Sequence, residues 1–408
     1  MIDNALFSDF YELTMAQGFW KKGNNTKTVF EMFFRSNPFK GGYSVFAGLE
    51  PLLKTIQNFH FEKSDIEDFL EYIAGFKFSG NIWAMKEGSL VFPNEPLIRI
   101  EADTVEALLL EGLILNMINF QTLIATKTAR IWLASKKGAI MEFGLRRAQG
   151  NDGAMSATRA AYIGGAFGTS NSLAAKELGI PALGTMAHSW IMSFKSEEDA
   201  FQAYADMYPD NSIFLIDTYD TLRSGIVNAI KVGKRLQEKG KNFGVRLDSG
   251  DIYYLSKDVR KRLDEAGCTK AKISVSNELT EEIVESLVQN NAPIDSWGVG
   301  THMVTGGNEA SLTGVYKMAA RKSLGETEWT PVMKFSDNPA KMTNPACKQV
   351  WRLYNPDGTF KADVLTLEDE KIEEGVEQTF YHPANDYQNF TFTPTKIEAL
   401  LEKRIENG

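Results

Sequence analysis

Residues 138–192 decide the fold, and they read GAIMEFGLRRAQGNDGAMSATRAAYIGGAFGTSNSLAAKELGIPALGTMAHSWIM. A short apolar run at residues 139–143 ends at two arginines, and a second run at 181–185 ends at Met186-Ala187-His188-Ser189. Two small-residue helical patterns lie between the runs, separated by Gly168-Thr169-Ser170-Asn171. Strands that end in polar side chains and turn into helices build a site at the carboxyl edge of a parallel sheet. We therefore expect the chemistry at the strand ends.

The same alternation of apolar runs and helical patterns continues from residue 138 to about residue 330. It predicts an α/β fold of parallel strands joined by helical crossovers. Polar residues follow nearly every run, which favours an irregular TIM-like barrel over an open Rossmann sheet with one switch point. The predicted strands are 139–143, 181–185, 213–216, 243–247, 272–275, 297–300 and 315–318.

The two chain ends have a different pattern. Residues 1–137 combine a first amphipathic helix, aromatic-rich strand patterns and a long buried helix or kinked pair over 105–135. Residues 331–408 read as strands, with a hairpin turn at 355–358 and a last amphipathic helix over 394–408. We expect the C-terminal segment to return to the N-terminal strands and form an α+β sandwich domain beside the 138–330 barrel.

Composition excludes several classes of protein. The chain has 408 residues and a net charge of -9, whereas nucleic-acid proteins usually carry a basic surplus. Its two cysteines form no Cys-x-x-Cys pair, which argues against structural zinc and indicates a reducing compartment. No Walker loop or Gly-x-Gly-x-x-Gly occurs. The N-terminus is not basic and no uninterrupted apolar stretch approaches membrane-spanning length, so we expect a cytoplasmic protein without a membrane or nucleic-acid partner.

Two arginines follow the first strand. Arg146 and Arg147 come after Phe143-Gly144, where each guanidinium can make a bidentate contact with a phosphate or carboxylate and the glycine allows close approach. A solvated basic pair is the alternative. Their place at a strand end favours the ligand-binding interpretation.

Two Gly-Thr turns offer hydroxyl and amide donors at helix starts. Thr169 and Ser170 stand before one helical pattern, and Gly300-Thr301 follows another strand. Such turns bind anions or polar ligands. A plain helix cap is the alternative.

Three further strand ends carry titratable side chains. His188 follows an apolar run, and an imidazole there can serve as acid, base or nucleophile, although a lone histidine is often structural. Arg246 and Asp248, two apart, fall on the same side of an extended chain. The arginine suits a phosphate, and the aspartate suits sugar hydroxyls or, together with Asp251, Mg²⁺. Asp217 gives a similar strand end, and each of these could instead belong to an ordinary capped turn.

The motifs in combination resemble one family. FGLRRAQGNDGAMSATRAAYIGGAFGTSN, GTMAHSW, IDTYDT, VRLDSGD, SNELTEE and GVGTHMVTG look like the successive motifs of nicotinate phosphoribosyltransferases. GNIWAMKEGSLVFPNEPLIRIE and LNMINFQTLIATKTARI match segments which that family shares with its nicotinamide and quinolinate relatives. The resemblance covers most of the chain, from Asp9 to about Arg352.

The resemblance implies a type II phosphoribosyltransferase that is a homodimer with shared sites. The implied substrates are nicotinate, phosphoribosyl pyrophosphate and ATP, with Mg²⁺, and the implied role is NAD salvage. The resemblance also implies a role for each matching residue. His188 would be phosphorylated by ATP, Phe143 and the partner's Tyr11 would sandwich the pyridine ring, Arg146 would hold the substrate, and Arg246, Asp248, Gly300 and Thr301 would hold the phosphoribosyl part.

Substrate choice depends on Ser170. The nicotinamide-using relatives carry aspartate after Gly-Thr, and an aspartate would repel the nicotinate carboxylate, so Ser170 favours the acid over the amide. Nicotinamide phosphoribosyl transfer is the alternative within the family.

Two alternatives come from other classes. A barrel lyase would need a strand-end lysine as Schiff-base former, and Lys317 is the candidate. The other is a non-catalytic phosphosugar-binding barrel, disfavoured because the arginine, aspartate and histidine positions are all filled. Lys334 and Lys341 suit either phosphate contacts or surface charges.

Overall fold

The computed structural model describes residues 5–61, 75–323, 325–337, 341–382 and 385–408. The chain divides into two compact units. We call Met1–Leu123 with Ser311–Gly408 the terminal unit, and Ile124–Ala310 the central unit.

The described residues form helices in both units, and in the central unit these helices alternate with strands. They are α1 (Phe10–Lys21), α2 (Leu49–Asn58), α3 (Thr104–Leu109), α4 (Glu111–Ala134), α5 (Gly150–Ile163), α6 (Ser172–Leu178), α7 (His188–Met192), α8 (Glu197–Met207), α9 (Ile226–Glu238), α10 (Ile252–Glu265), α11 (Glu281–Gln289) and α12 (Thr301–Val304). Short 3-10 turns occur at Pro38–Lys40 and Leu145–Arg147, and a π-helical turn occurs at Thr221–Gly225.

The strands form a parallel sheet in the central unit and antiparallel sheets in the terminal unit. They are β1 (Lys27–Phe34), β2 (Ser44–Val45), β3 (Asn81–Ala84), β4 (Leu90–Val91), β5 (Ile98–Asp103), β6 (Ala139–Glu142), β7 (Gly168–Thr169), β8 (Ser212–Leu215), β9 (Phe243–Leu247), β10 (Lys272–Val275), β11 (Ser296–Val299), β12 (Gly314–Arg321), β13 (Thr330–Pro331), β14 (Lys348–Tyr354), β15 (Phe360–Leu367), β16 (Gln378–His382), β17 (Asn385–Phe392), β18 (Lys396–Ala399) and β19 (Glu402–Ile405).

The parallel sheet of the central unit confirms most of the predicted strands. Its order is β7-β6-β11-β10-β9-β8, and every neighbouring pair is parallel. The strands are rich in buried apolar residues such as Ile140, Val245 and Ile273, as is usual for parallel strands, which are buried on both faces. The sheet curls into a half-barrel, and a closed ring of strands is not seen within the described part of the chain.

The strand predicted at 181–185 is wrong. Only a single parallel bridge, between Thr169 and Ala182, occurs there. The neighbouring strand β7 is only two residues long, because the chain turns into α6 at Ser172. A strand at 181–185 would therefore have few backbone groups with which to pair.

The strand predicted at 315–318 exists but does not belong to the parallel sheet. β12 pairs antiparallel with β1, with Phe34 opposite Gly314, in the terminal unit. The connection from β11 to β12 contains only the four-residue helix α12, whereas a parallel crossover usually needs a full helix. The units accordingly divide after Ala310 and after Leu123, inside α4, rather than at the expected residues 330 and 137.

The C-terminal segment returns to the N-terminal strands, as predicted. β14 and β15 form a hairpin whose turn is closed by the Gly358 N–H donating to the Asn355 carbonyl at 2.9 Å. β19 pairs antiparallel with β3.

The helix predicted at 394–408 is wrong. That segment forms β18, paired with β14, and β19. Leu400 and Leu401, which connect the two strands in sequence, are both buried. Pairing with strands that are already in place overrides a helical propensity that is only a weak preference.

The long apolar segment 104–134 forms the predicted kinked pair, α3 and α4, interrupted at Leu110. By length and average composition alone it could cross a membrane, although polar residues such as Glu111 and Asn116 interrupt its apolar runs. In this structure 67% of the segment's most apolar window is buried inside the protein, and a buried core helix meets the same criterion.

We expect Gly225→Ala to destabilise the central unit by at least about 3 kcal/mol, because the added methyl would lie 1.8 Å from the Ile216 carbonyl oxygen and backbone cannot move aside cheaply. Urea denaturation measures the loss. Gly153→Ala is the matched control, since its methyl meets nothing closer than 4.0 Å and alanine stabilises a helix. Equal effects of the two substitutions would contradict the packing of Gly225 against Ile216.

Candidate functional site

The carboxyl ends of the parallel strands meet at one edge of the central sheet. Polar or ring-bearing residues and glycines follow these ends directly or at the second position. They are Phe143 after β6, Ser170 after β7, Asp217 after β8, Asp248 after β9, Ser276 after β10 and Gly300 after β11. This edge is the candidate site, as the sequence predicted.

Arg246 lies at this edge, and two of its three guanidinium nitrogens make hydrogen bonds. Its guanidinium donates to the Thr185 hydroxyl and, at 3.2 Å, to the Met186 carbonyl. Its Nε atom is buried and has no hydrogen-bond partner in the described residues. Burial lowers the pKa of Arg246, the neighbouring Asp248 and Asp217 oppose that change, and Arg146 adds to it. A desolvated guanidinium with an unused donor is suited to an anion.

Asp217 and Asp248 join two neighbouring strand ends. The Asp248 N–H donates to Asp217 Oδ2 at 3.1 Å, and the Ser249 hydroxyl donates to the same oxygen at 2.5 Å. The Ser276 hydroxyl donates to Asp248 Oδ1. Asp217 Oδ1 is buried without a partner among the described residues, so it can accept a ligand hydroxyl or a cation.

His188 is the first residue of α7 and faces the same carboxylates. Its Nδ1 lies 3.0 Å from the Thr218 hydroxyl oxygen, and its Nε2 lies 3.8 Å from Asp248 Oδ2. The side chain is 43% exposed, so a ligand can reach the ring. The structure thus brings His188, Arg246 and Asp248 together.

Phe143 has a fixed, half-buried ring. A methyl group on Gly298 would lie 2.6 Å from the ring Cδ2, so the glycine makes room for the aromatic side chain. The Phe143 N–H donates to the Val299 carbonyl at 2.8 Å. Arg146 lies in the exposed turn after it, and its charge contributes to lowering the pKa of Arg246.

Thr169 and Ser170 differ in what they offer. The Thr169 hydroxyl is buried and donates to Glu142 Oε2 at 2.5 Å, so a ligand contact through this side chain does not fit the geometry. Ser170 is half-buried, and its N–H donates to the Glu142 carbonyl at 2.9 Å. Ser170 is therefore the residue of this pair that can face a ligand.

Gly300 and Thr301 follow β11, as predicted. A methyl on Gly300 would lie 3.1 Å from the Phe143 carbonyl oxygen, so the strand ends approach each other closely here. Thr301 is half-buried and begins α12.

Asp251 acts as a helix cap. Its carboxylate accepts from the Tyr254 N–H at 3.0 Å at the start of α10. This contact favours the capped-turn alternative for Asp251 over a role in binding Mg²⁺.

Tyr11 and Lys317 belong to the terminal unit. Tyr11 is 47% exposed on α1, next to the fully buried Glu12, whose pKa is raised to about 7 by burial and by the nearby Glu111 and Asp9. Lys317 lies on β12, where its Nζ donates to the Tyr316 carbonyl at 2.6 Å. Lys317 does not follow a strand of the parallel sheet, as the lyase alternative requires of a Schiff-base lysine. This placement argues against that alternative.

A possible metal-ligand cluster lies in the terminal unit. Within the described ranges, Glu101, Cys347 and Glu368 bring three ligand atoms within 4.8 Å of one another. The Arg99 guanidinium is ion-paired with both glutamates, which opposes a cation there. Lys334 and Lys341 also belong to the terminal unit.

Two residues of the site's support were missed by reasoning from the sequence, namely Glu142 and Thr218. Glu142 ends a buried apolar strand, and an acidic residue in that position was an available signal. Thr218 stands in the polar strand end IDTYDT, but its contact with His188, thirty positions away, becomes visible only in three dimensions.

Comparison with known proteins agrees with this geometry. Residues 6–119 match the nicotinate phosphoribosyltransferase N-terminal domain, and residues 347–408 match the C-terminal domain of the same family. The chain is 43% identical to nicotinate phosphoribosyltransferase of Bacillus subtilis, covering 99% of this chain and 84% of that protein. It is 36% identical to the enzyme of that name from Caenorhabditis elegans, covering 99% and 84%.

Solved structures show the same similarity. Human nicotinic acid phosphoribosyltransferase superposes with a TM-score of 0.85 at 29% identity, covering 98% of this chain and 89% of that one. Nicotinate-nucleotide pyrophosphorylase from Pyrococcus furiosus gives a TM-score of 0.78 at 25% identity, with 99% and 89% covered. With these levels of identity over nearly its whole length, the chain belongs to the nicotinate phosphoribosyltransferase family.

Proposed function

We propose that this chain transfers the phosphoribosyl group of phosphoribosyl pyrophosphate to nicotinate, giving nicotinate mononucleotide and pyrophosphate in NAD salvage. One observation carries the proposal: in this member of the family, four charged or titratable side chains lie together at one edge of a parallel sheet. They are Asp217, Asp248, His188 and Arg246. Arg246 Nε and Asp217 Oδ1 are buried there without partners, as expected of atoms that bind a ligand.

The phosphoribosyl part binds to the charged strand ends in this proposal. Arg246 holds phosphate oxygens, because a guanidinium group matches their geometry with paired donors. Asp248 accepts from sugar hydroxyls, and Gly300 and Thr301 offer backbone and hydroxyl donors at the start of α12.

The pyridine ring binds on Phe143 and is covered by Tyr11 of a second subunit in this proposal, so that a homodimer shares its sites. The half-buried ring of Phe143 and the exposed ring of Tyr11 support this arrangement. Ser170 and Arg146 face the carboxylate of nicotinate.

Transfer requires alignment and charge more than covalent chemistry. Loss of pyrophosphate leaves an oxocarbenium-like sugar carbon, which the ring nitrogen of nicotinate attacks. Fixed charges and a ring held in line then supply most of the acceleration. The role of Arg246 is to stabilise the departing pyrophosphate, and that of Asp248 is to orient the sugar.

Mg²⁺ fits Asp217 and Asp248 better than Asp251. Mg²⁺ is usually held by one or two carboxylates together with substrate phosphates, and Asp217 Oδ1 is a buried acceptor without a partner. When bound, the ion would neutralise part of the pyrophosphate charge. The carboxylate of Asp251 already accepts from a helix N–H.

ATP is the proposed co-substrate, and His188 its acceptor. A ring nitrogen of His188 forms a bond to the γ-phosphorus of ATP while the bond to ADP breaks, and water later cleaves the phosphohistidine to release phosphate. Thr218 orients the ring through Nδ1. Phosphorylation adds negative charge beside Arg246, which can couple ATP hydrolysis to the affinity for the other substrates.

The proposal also includes the domain architecture and the cellular compartment of the enzyme. We describe the central unit as an irregular, incomplete TIM-like barrel and the terminal unit as an α+β sandwich. We place the enzyme in the cytoplasm, where its buried free thiols Cys268 and Cys347 would stay reduced.

Product formation from phosphoribosyl pyrophosphate and Mg²⁺ tests the proposal, with nicotinate, nicotinamide or quinolinate as acceptor, each with and without ATP. We expect transfer to nicotinate, raised by ATP. Preference for nicotinamide would overturn the role of Ser170. Ligand binding without any turnover would favour a non-catalytic phosphosugar-binding protein instead.

Substitution His188→Ala should abolish the stimulation by ATP and the acid-labile phosphate on the protein, while slow transfer without ATP remains. The reason is that His188 acts only in the ATPase step of the proposal. Rates with and without ATP, and ³²P incorporation from γ-labelled ATP, measure the effect. His60→Ala in the terminal unit is the control and should change neither; full ATP stimulation in His188→Ala would remove the role given to His188.

Substitution Ser170→Asp should lower kcat/KM for nicotinate by about tenfold or more, because a carboxylate facing the substrate carboxylate adds like-charge repulsion. The comparison is steady-state kinetics with nicotinate and nicotinamide. Ser286→Asp adds the same charge at an exposed position of α11 and should behave as wild type. An unchanged ratio of the two substrates in Ser170→Asp would show that this position does not select between them.

Substitution Arg246→Lys should raise the KM for phosphoribosyl pyrophosphate by about tenfold or more. An ammonium cannot hold Thr185 and Met186 and still present a paired fork to phosphate. Arg235→Lys changes an exposed arginine that pairs with Glu198 on the surface and is the control. Equal KM values in the two variants would count against a phosphate contact by Arg246.

A further inference from the structure

Glu142 is a buried carboxylate at the end of β6, and its side chain is 1% exposed. It accepts hydrogen bonds from three separate parts of the central unit. The Gly144 N–H donates to Oε1, while the Thr158 hydroxyl, at 3.0 Å, and the Thr169 hydroxyl, at 2.5 Å, donate to Oε2. Three donors satisfy a carboxylate that would otherwise be costly to bury.

The three donors belong to the loop after β6, to α5 and to β7. The carboxylate therefore connects the ends of two neighbouring strands and one covering helix. The Thr169 hydroxyl also accepts from the Asn171 N–H at 2.9 Å, and the Asn171 side chain caps α6 by accepting from the Ala174 N–H at 3.2 Å. The network thus continues into the turn that carries Ser170.

Both residues proposed to face nicotinate are adjacent to this network. Phe143 lies between Glu142 and Gly144, the residues joined by the short contact to Oε1. Ser170 follows Thr169, and its own N–H donates to the Glu142 carbonyl at 2.9 Å. Side-chain and main-chain atoms of Glu142 therefore fix the positions of Phe143 and Ser170 relative to each other.

We propose that Glu142 is the positioning residue of the nicotinate pocket, holding Phe143 and Ser170 in the spacing that the pyridine ring and its carboxylate require. The inference rests on the proposed function, because it needs nicotinate to bind between these two residues. Glu142 itself does not touch the substrate; it acts through its neighbours.

Arg246 and Asp248 are connected differently. Their side chains contact Thr185, Met186 and Ser276, whereas the Glu142 side chain accepts from Gly144, Thr158 and Thr169. Disturbing Glu142 should therefore affect the binding of nicotinate and leave the binding of phosphoribosyl pyrophosphate nearly unchanged. A merely structural role would affect both substrates, or only the stability.

The test is steady-state kinetics of the full-length protein with each substrate varied in turn, together with thermal unfolding of each variant. Glu142→Gln keeps the shape but turns one acceptor into a donor that faces the existing donors. We expect the KM for nicotinate to rise about tenfold, as the loss of a buried hydrogen bond in the pocket wall predicts, with the KM for phosphoribosyl pyrophosphate changed by less than about twofold.

Two threonine variants separate positioning from stability. Thr169→Val removes the donor next to Ser170 and should also raise the KM for nicotinate. Thr128→Val removes a buried hydroxyl that donates to the Ile124 carbonyl at 2.9 Å within α4, outside the hydrogen bonds of Glu142, and should lower the unfolding temperature without changing the KM for nicotinate. If Glu142→Gln does not fold, the contrast between the two threonine variants decides the question.

The outcomes are distinct. An active wild type with an unchanged KM for nicotinate in folded Glu142→Gln, or with equal rises for both substrates, overturns the positioning role alone. Equal nicotinate KM values in Thr169→Val and Thr128→Val would do the same. A wild type that does not transfer to nicotinate overturns the proposed function and, with it, this inference.

Discussion

Parallel strand pairing is the constraint on which the site depends. Neighbouring parallel strands run in the same direction, so the carboxyl ends of β6 to β11 must lie along one edge of the sheet. Residues far apart in sequence, such as Phe143, Asp217 and Asp248, are brought to that edge by backbone hydrogen bonds alone. The Asp248 N–H then donates to the Asp217 side chain, so the first main-chain donor after β9 binds a carboxylate of the site.

This constraint also explains which parts of the fold could be predicted from the sequence. A buried parallel strand is a continuous apolar run, and the runs at 243–247 and 272–275 form strands with those bounds. A run alone does not tell which sheet a strand joins, and the strand at 314–321 pairs with β1 because no crossover helix precedes it. The segment 394–408 has a helical pattern, but β18 pairs with β14 and β19 pairs with β3 near the other end of the chain, and a local pattern does not contain such long-range pairing.

The site was predicted to a similar degree. His188, Arg246 and Asp248 were recognised because each follows an apolar run, and the structure brings them together. Thr169 was placed among the ligand contacts because it stands in a Gly-Thr turn, but alternation along β7 points its hydroxyl to Glu142, with Ser170 on the other side. Glu142 and Thr218 could not be assigned roles, since their roles consist of contacts with residues distant in sequence.

The charges of the site point to a ligand that carries both signs. Burial lowers the pKa of Arg246 and the charge of Arg146 adds to that change, so an anion bound to Arg246 would offset both effects. Asp217 and Asp248, at the next strand ends, repel the same anion unless a cation accompanies it. A polyphosphate with a divalent cation brings negative charge to the two arginines and positive charge to the two aspartates. A simple carboxylate interacts favourably with the arginines alone. Under the proposed function, the pyrophosphate group with Mg²⁺ would lie at β8 and β9, and the carboxylate of nicotinate would lie nearer Arg146 and Ser170, on the side of the sheet edge formed by β6 and β7.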